Sequence, residues 1–220
     1  MSDACFFNST IEQREHVLKI LGYSYVIPEH LRDCVTIGIR DLSTKDYSDE
    51  TISRMVQKPL SLSESLVCLG STREGDISLF RGKLLEWLIC MEYNGLKNKG
   101  NLVMTIVNPD PSSKADLLHI IDTGNGYKCV AGPDVKSGNA YYVFEQWEKI
   151  LEHRPEIPMI DADGLFADED ELQRLYPRLW QRYQALKEKY PGKRPLPTTW
   201  HTQDVMRVTM DYIMYIGPAE

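Results

Sequence analysis

Asp116 and the triplet Asp134-Val135-Lys136 are the residues of this 220-residue chain whose types and spacing best suit chemistry. Along an extended strand, side chains two apart share a face, so Asp134 and Lys136 project together, and hairpin pairing can bring Asp116 beside them. Two carboxylates a few ångströms apart repel each other unless a cation sits between them. Oxygen ligands of this kind suit magnesium, which keeps several waters for substrate and nucleophile. A lysine alongside can lower the pKa of an attacking water, position it, or hold a phosphate oxygen. Together these are the parts of metal-assisted phosphodiester hydrolysis. The plainer alternative is a turn in which Asp134, Lys136 and Ser137 cap the helix that begins near Asn139.

Such a site needs paired strands, and the sequence supplies them. Leu102 to Val107 is a β-rich run halted by Pro109, Asp116 to Ile121 is a second, and Tyr127 to Ala131 is a third. Asp122-Thr123-Gly124-Asn125-Gly126 joins the second to the third, and its glycines and asparagine suit a tight reversal. Gly132-Pro133 then interrupts the chain immediately before Asp134. Proline lacks the amide that a central strand would donate, so a bulge here either aims Asp134 into a site or marks a degenerate one. Pro109-Asp110 offers a rival first acid. Upstream, Phe80, Leu84, Leu85, Leu88, Ile89 and Met91 predict a buried amphipathic helix from Ile77 to Tyr93, capped by Gly95. Downstream, Val143, Trp147, Ile150 and Leu151 predict a helix from Asn139 to His153, and Ile157 to Ile160 reads as one more strand.

The flanks are mostly helical. Ser9 and Glu12 form a capping box for a helix near 10–21, which Gly22 stops. Tyr23 to Ile27 and Cys34 to Ile39 are short apolar or β-branched runs broken by Pro28 and Gly38, and Asp49 opens a short helix ending near Lys58-Pro59. Beyond the acidic loop Asp161 to Glu171, a helix carries Leu175, Leu179, Tyr183 and Leu186, with Pro177 suited to its first position. Arg174, Arg178 and Arg182 recur every four residues and so share one face, either solvated, paired with the acidic loop, or in contact with phosphates. A Pro-rich linker, Pro191 to Pro197, leads to a last helix near Gln203 to Tyr215. The fold class expected is α/β (α+β), with residues 1–75 a mostly helical region packed on a core at 76–165, and 166–220 forming C-terminal helices.

The residues just named resemble those of the PD-(D/E)XK nuclease superfamily, the restriction-endonuclease-like fold. The resemblance spans the order helix, three strands, helix, strand between Ile77 and Asp161, and it includes Glu86 within Gly82-Lys83-Leu84-Leu85-Glu86. It implies catalytic roles for Glu86, Asp116, Asp134 and Lys136, with Asp116 and Asp134 as the ligands of Mg2+ or Mn2+. It implies DNA as the partner, with Arg174, Arg178 and Arg182 steering the phosphate backbone, and it implies a homodimer. The alternative is a non-catalytic regulatory or interaction protein, related to phage or bacterial defence, on the same scaffold with a disabled site.

Composition narrows the classes without choosing between these two. The chain has 25 Lys plus Arg against 32 Asp plus Glu, a net charge of −7, which argues against indiscriminate coating of nucleic acid but not against a local basic groove. Six of those acids fall between Asp161 and Glu171, so much of the surplus can sit away from a substrate groove. No apolar run approaches the roughly 18 to 20 residues that span a bilayer, and the first residues lack a signal-peptide pattern, so no membrane partner and a cytoplasmic address are expected. The five cysteines are scattered without zinc-ligand spacing and read as reduced core thiols. Asp122-Thr123-Gly124 looks like the triplet of aspartic proteases, but Asn125-Gly126 makes a hairpin turn the simpler account. Asp161-Ala162-Asp163-Gly164 fails as a calcium loop because its glycine and its final ligand are misplaced.

Overall fold

The computed structural model describes residues 19–72 and 77–200, together with Val205 and Thr209. The expected helix at 10–21 lies largely outside them, though residues 19–21 are helical; the expected helix at 203–215 also lies outside, apart from Val205 and Thr209, which are helical. The class is α+β. Strands β1 (Ser24–Tyr25) and β2 (Leu60–Ser61) form a small antiparallel pair around helices α1 (Arg32–Leu42) and α2 (Asp49–Gln57), and α3 (Leu62–Thr72) follows. Next come α4 (Ile77–Gly95), then β3 (Leu102–Val107), β4 (Leu117–Asp122), β5 (Tyr127–Ala131) and β6 (Asp134–Lys136). Helix α5 (Ala140–His153), strand β7 (Met159–Asp161), and helices α6 (Glu169–Leu175) and α7 (Pro177–Lys189) complete the order.

Alternation along β4 sets the layers. Leu118 and Ile120 face Val35, Ile39, Ile52 and Val56 of α1 and α2, while Leu117 faces Leu84, Leu85 and Leu88 of α4. The antiparallel sheet β3-β4-β5 therefore lies between α1 and α2 on one side and α4 on the other. Helix α1 can lie close on β5 because it presents Gly38, where an added Cβ would stand 2.5 Å from Cys129 Sγ. A third cluster joins Val143, Phe144, Trp147 and Ile150 of α5 to Leu172 of α6 and to Leu179, Tyr183 and Leu186 of α7.

Two expectations are corrected here. Cys34 to Ile39 is part of α1 rather than a strand-like run, because Val35 and Ile39 fall four apart on one buried helical face. The expected helix through Leu175 and Leu186 is two helices, broken at Tyr176, whose non-helical backbone (φ −134°, ψ 62°) leads into Pro177 at the first turn of α7. The turn at Asp122-Thr123-Gly124 is a plain hairpin. Gly124 and Gly126 take φ of 80° and 141°, Gly124 donates its amide to Asp122 Oδ1 at 2.7 Å, and Asp122 pairs with Tyr127.

Strand β3 is an edge, and side chains cover its outward backbone. The Asn94 amide takes both backbone groups of Thr105, accepting its N–H at 2.9 Å and donating to its carbonyl at 2.7 Å, and Tyr25 Oη accepts the Val107 N–H at 2.7 Å. Across the pair, His119 Nδ1 sits 2.9 Å from Thr105 Oγ1 with its ring edge-on to Tyr93. Burial pulls the His119 pKa from 6.5 down to about 4. The unfolded chain thus takes this proton near the ordinary value while the fold refuses it until about pH 4, so stability is lost as pH falls through that window. The wild type should lose about 2 kcal/mol more than His119→Gln between about pH 7 and pH 5 in urea titrations. Equal losses in the two proteins would show that His119 does not carry this proton linkage.

Candidate active site

The third strand of the expected hairpin splits into two halves with different partners. Through Ala131 it pairs antiparallel with β4, and the last bond of that ladder is Gly132 N–H to Leu117 O at 2.9 Å. From Asp134 it pairs parallel with β7, in the register Asp134 with Met159 and Lys136 with Asp161, opened by Asp134 N–H to Pro158 O at 2.9 Å. Pro133 sits between the two ladders, where its missing amide costs nothing. Leu196 then brackets β7, accepting from Asp161 N–H at 2.9 Å and donating to Met159 O at 2.8 Å.

This changeover sets β6 beside the start of β4. Asp116 Oδ2 accepts the Val135 amide at 2.8 Å and lies 3.6 Å from Lys136 Nζ. The same ammonium hydrogen-bonds Asp134 Oδ1. Side-chain exposure grades from 3% at Asp134 through 19% at Lys136 to 30% at Asp116, so the group opens to solvent on the Asp116 side. Glu86 comes from α4, which packs on β6; it takes Lys83 Nζ at 2.5 Å, one helical turn back. The four residues proposed for catalysis from sequence thus arise on α4, at the residue just before β4, which begins at Leu117 and not at Asp116, and on β6. The capping alternative falls, because Asn139 itself caps α5, accepting the Tyr142 amide at 2.9 Å.

Two residues of this cluster have no role assigned from sequence. Arg154, the C-cap of α5, donates Nη2 to Asp134 Oδ2 at 2.6 Å and Nη1 to the Lys114 carbonyl. A basic residue at a helix C-terminus reads by default as a dipole partner, and only the crossover geometry returns it to β6. Lys83 is the other, and its signal was its position three residues before Glu86.

The electrostatics follow from burying acids together. Burial pushes Glu86 up to about 7, with the Asp116 charge adding to the rise and Lys83 and Lys136 opposing it. Asp134 is likewise pushed up to about 7 by burial and by Asp116, against the pull of Lys136. Burial also works against Asp116, but Lys136, a hydrogen bond with Asp134 and the Val135 amide outweigh it and hold Asp116 below the usual carboxylate range. Of the two aspartates, Asp116 is therefore the one held charged and Asp134 the one more easily protonated. Burial disfavours the charged Lys136, yet Asp116 and Asp134 overcome it and raise its pKa, so Lys136 is an ammonium.

The remaining candidates lie elsewhere. Asp110 organises its own loop, its Oδ1 accepting Ser112 N–H and Oγ–H at 2.8 Å each and the Tyr47 hydroxyl at 3.0 Å. Arg174 is on α6 and pairs with Glu171 at 3.3 Å, whereas Arg178 and Arg182 are on α7, so the expected single stripe does not form. Arg182 pairs with Glu148 at 2.8 Å and lies over the Phe144 ring. The acidic segment does local work: Asp161 accepts the Asp163 and Phe166 amides at 3.1 Å each, and Asp168 caps α6. A cavity of about 210 Å³ between α1 and α2, lined by Arg40, Ser43 and Tyr47 among others, shares no residue with the cluster.

Scans against protein-family models, curated proteins and solved structures each returned no match. Among the described residues no helix is long and apolar enough to cross a membrane, and no group of three or more His, Cys, Asp and Glu is disposed to hold a metal ion. The carboxylates that Lys136 joins beside β4 and on β6 are two, Asp116 and Asp134. That number suits magnesium or manganese, which are held by one or two carboxylates and complete their shells with water and phosphate, and it does not suit a caged zinc or calcium ion.

Proposed function

We propose that the chain is a metal-dependent nuclease of the restriction-endonuclease-like class, hydrolysing phosphodiester bonds of DNA. The observation that carries this reading is the contact of Asp116, Asp134 and Lys136 at the point where an antiparallel hairpin gives way to a parallel strand, within the order helix, three strands, helix, strand. Asp116 and Asp134 would hold Mg2+ or Mn2+, and the bound ion would supply charge for the phosphate and an activated water. Lys136, being an ammonium, suits holding a non-bridging phosphate oxygen or stabilising developing charge better than removing a proton. Glu86 is tied to Lys83 and feels the charges of Asp116 and Lys136, so it would adjust the electrostatics around the ion without touching it.

One observation favours the second reading, a non-catalytic interaction protein on the same scaffold. Glu86, Asp116 and Asp134 each already contact a cation from Lys83, Lys136 or Arg154, so the cluster is charge-balanced as it stands. Cleavage assays on duplex, single-stranded and branched DNA and on RNA, with Mg2+, Mn2+ or EDTA, separate the two. The nuclease reading expects metal-dependent cleavage that falls by about 10²- to 10³-fold in Asp116→Asn, a change at the most exposed of the acids. Absence of metal-dependent cleavage, or undiminished activity in Asp116→Asn, would leave the interaction protein as the surviving account.

A further inference from the structure

The two acids assigned to the metal lie on different segments, the loop that leads into β4 and the start of β6, and one side chain is tied to both segments. Arg154 donates Nη2 to Asp134 Oδ2 at 2.6 Å and Nη1 to the carbonyl of Lys114, two residues before Asp116. The guanidinium thus bridges the approach to β4 and the first residue of β6. Its own placement is fixed, since it is the C-cap of α5 and its amide bonds the Ile150 carbonyl at 2.8 Å. By occupying Asp134 Oδ2 it turns the other oxygen, Oδ1, toward Lys136, whose Nζ also lies 3.6 Å from Asp116. The side chain that would present Asp134 to an ion between β4 and β6 is held in that orientation from behind.

Resting on the nuclease reading, we infer that Arg154 is the positioning residue of the site: its fork fixes the separation of Asp116 and Asp134, and its charge beside Asp134 weakens the hold on the divalent ion. The two halves of this role belong to different properties of the side chain. The planar fork reaches two acceptors on separate segments, the loop before β4 and the start of β6, which a lysine ammonium cannot copy at the same geometry. The charge is a unit cation in contact with a metal ligand, and it opposes a divalent ion wherever that ion sits on the same carboxylate.

Two variants separate fork from charge. Arg154→Gln removes the charge and half of the fork, and Arg154→Lys keeps the charge and loses the fork. Binding of Mn2+ to each full-length protein, titrated by EPR and competed with Mg2+, is read beside single-turnover cleavage. The expected result is binding about tenfold tighter than wild type in Arg154→Gln, but within about twofold of wild type in Arg154→Lys. Cleavage should fall by about tenfold or more in both, because a misplaced ligand costs rate rather than affinity. A merely structural arginine would not tighten metal binding when removed. Weaker or unchanged Mn2+ binding in Arg154→Gln overturns the charge half, and full cleavage by Arg154→Lys overturns the fork half. If wild type binds Mn2+ and Asp116→Asn abolishes that binding while both Arg154 variants match wild type, this inference alone fails. If wild type binds no Mn2+, the nuclease reading fails with it.

Discussion

Replacing Asp134 with alanine is expected to destabilise the fold by about 3 to 5 kcal/mol, the cost of removing one partner from a buried ion cluster. The carboxylate is almost wholly buried and accepts from Lys136 on one oxygen and Arg154 on the other. Without it, Lys136 retains only Asp116 at 3.6 Å and Arg154 retains only the Lys114 carbonyl, so two partly buried cations face each other across a small void. Asp134→Asn keeps the shape and one acceptor, and should lose about half as much. Urea unfolding of the three proteins at neutral pH measures this, and a loss below about 1 kcal/mol for Asp134→Ala would mean that the cluster contributes little to stability. Because the alanine variant reports stability and cleavage together, Asp116→Asn is the cleaner test of activity.

Gly132→Ala is expected to cost about 3 kcal/mol and to displace the site along with the strand. A Cβ at this position would stand 2.8 Å from Leu117 O and 2.9 Å from Leu117 C, both backbone atoms. Leu117 cannot retreat, because it pairs with Val107 of β3 on its other side. The Gly132 amide must also stay within reach of that same carbonyl, 2.9 Å away. The clash falls beside Asp116, so the approach of β4 to β6 shifts with it. Gly82→Ala is the matched control: it lies within α4 with nothing inside 4 Å of an added Cβ, and it should raise stability by up to about 1 kcal/mol. Thermal melts of both variants would decide it. Equal melting temperatures for Gly132→Ala and wild type would mean that the two strands can part without loss.

The hairpin was legible because its signals are local. Apolar alternation, a glycine-rich reversal and a capped amphipathic helix each occupy a dozen residues or fewer, and β3, β4, β5, α4 and α5 fall within a residue or two of the spans they predict. Strand periodicity groups Asp134 with Lys136, whereas Asp116 reaches them through the Val135 amide beyond the end of the hairpin ladder and not by hairpin pairing. What resisted reading depends on distant chain. Gly132-Pro133 looked like damage to a strand, and its sense appears only when β7, 25 residues after β6 in register, supplies the second partner. Arg154 is silent in sequence for the same reason. The arginine stripe failed differently: a four-residue recurrence assumes an unbroken helix, and Tyr176 before Pro177 breaks it. Helix α3 carries Leu62 and Leu66 on a buried face, yet its short serine-rich sequence gave no clear boundary.

The division of the third strand between two ladders also orders the way the molecule comes together. Hairpin β4–β5 closes over four intervening residues and needs little loop entropy, whereas the β6–β7 pairing must wait for α5 to bring back a segment 25 residues away, and Leu196 must return from further still. Asp116 belongs to the early half and Asp134 to the late half. A chain that has formed its hairpin but not its parallel crossover therefore carries one acid and no site. If the chain cuts as proposed, this architecture would withhold that activity from the growing or partly folded chain until the last long-range pairing closes.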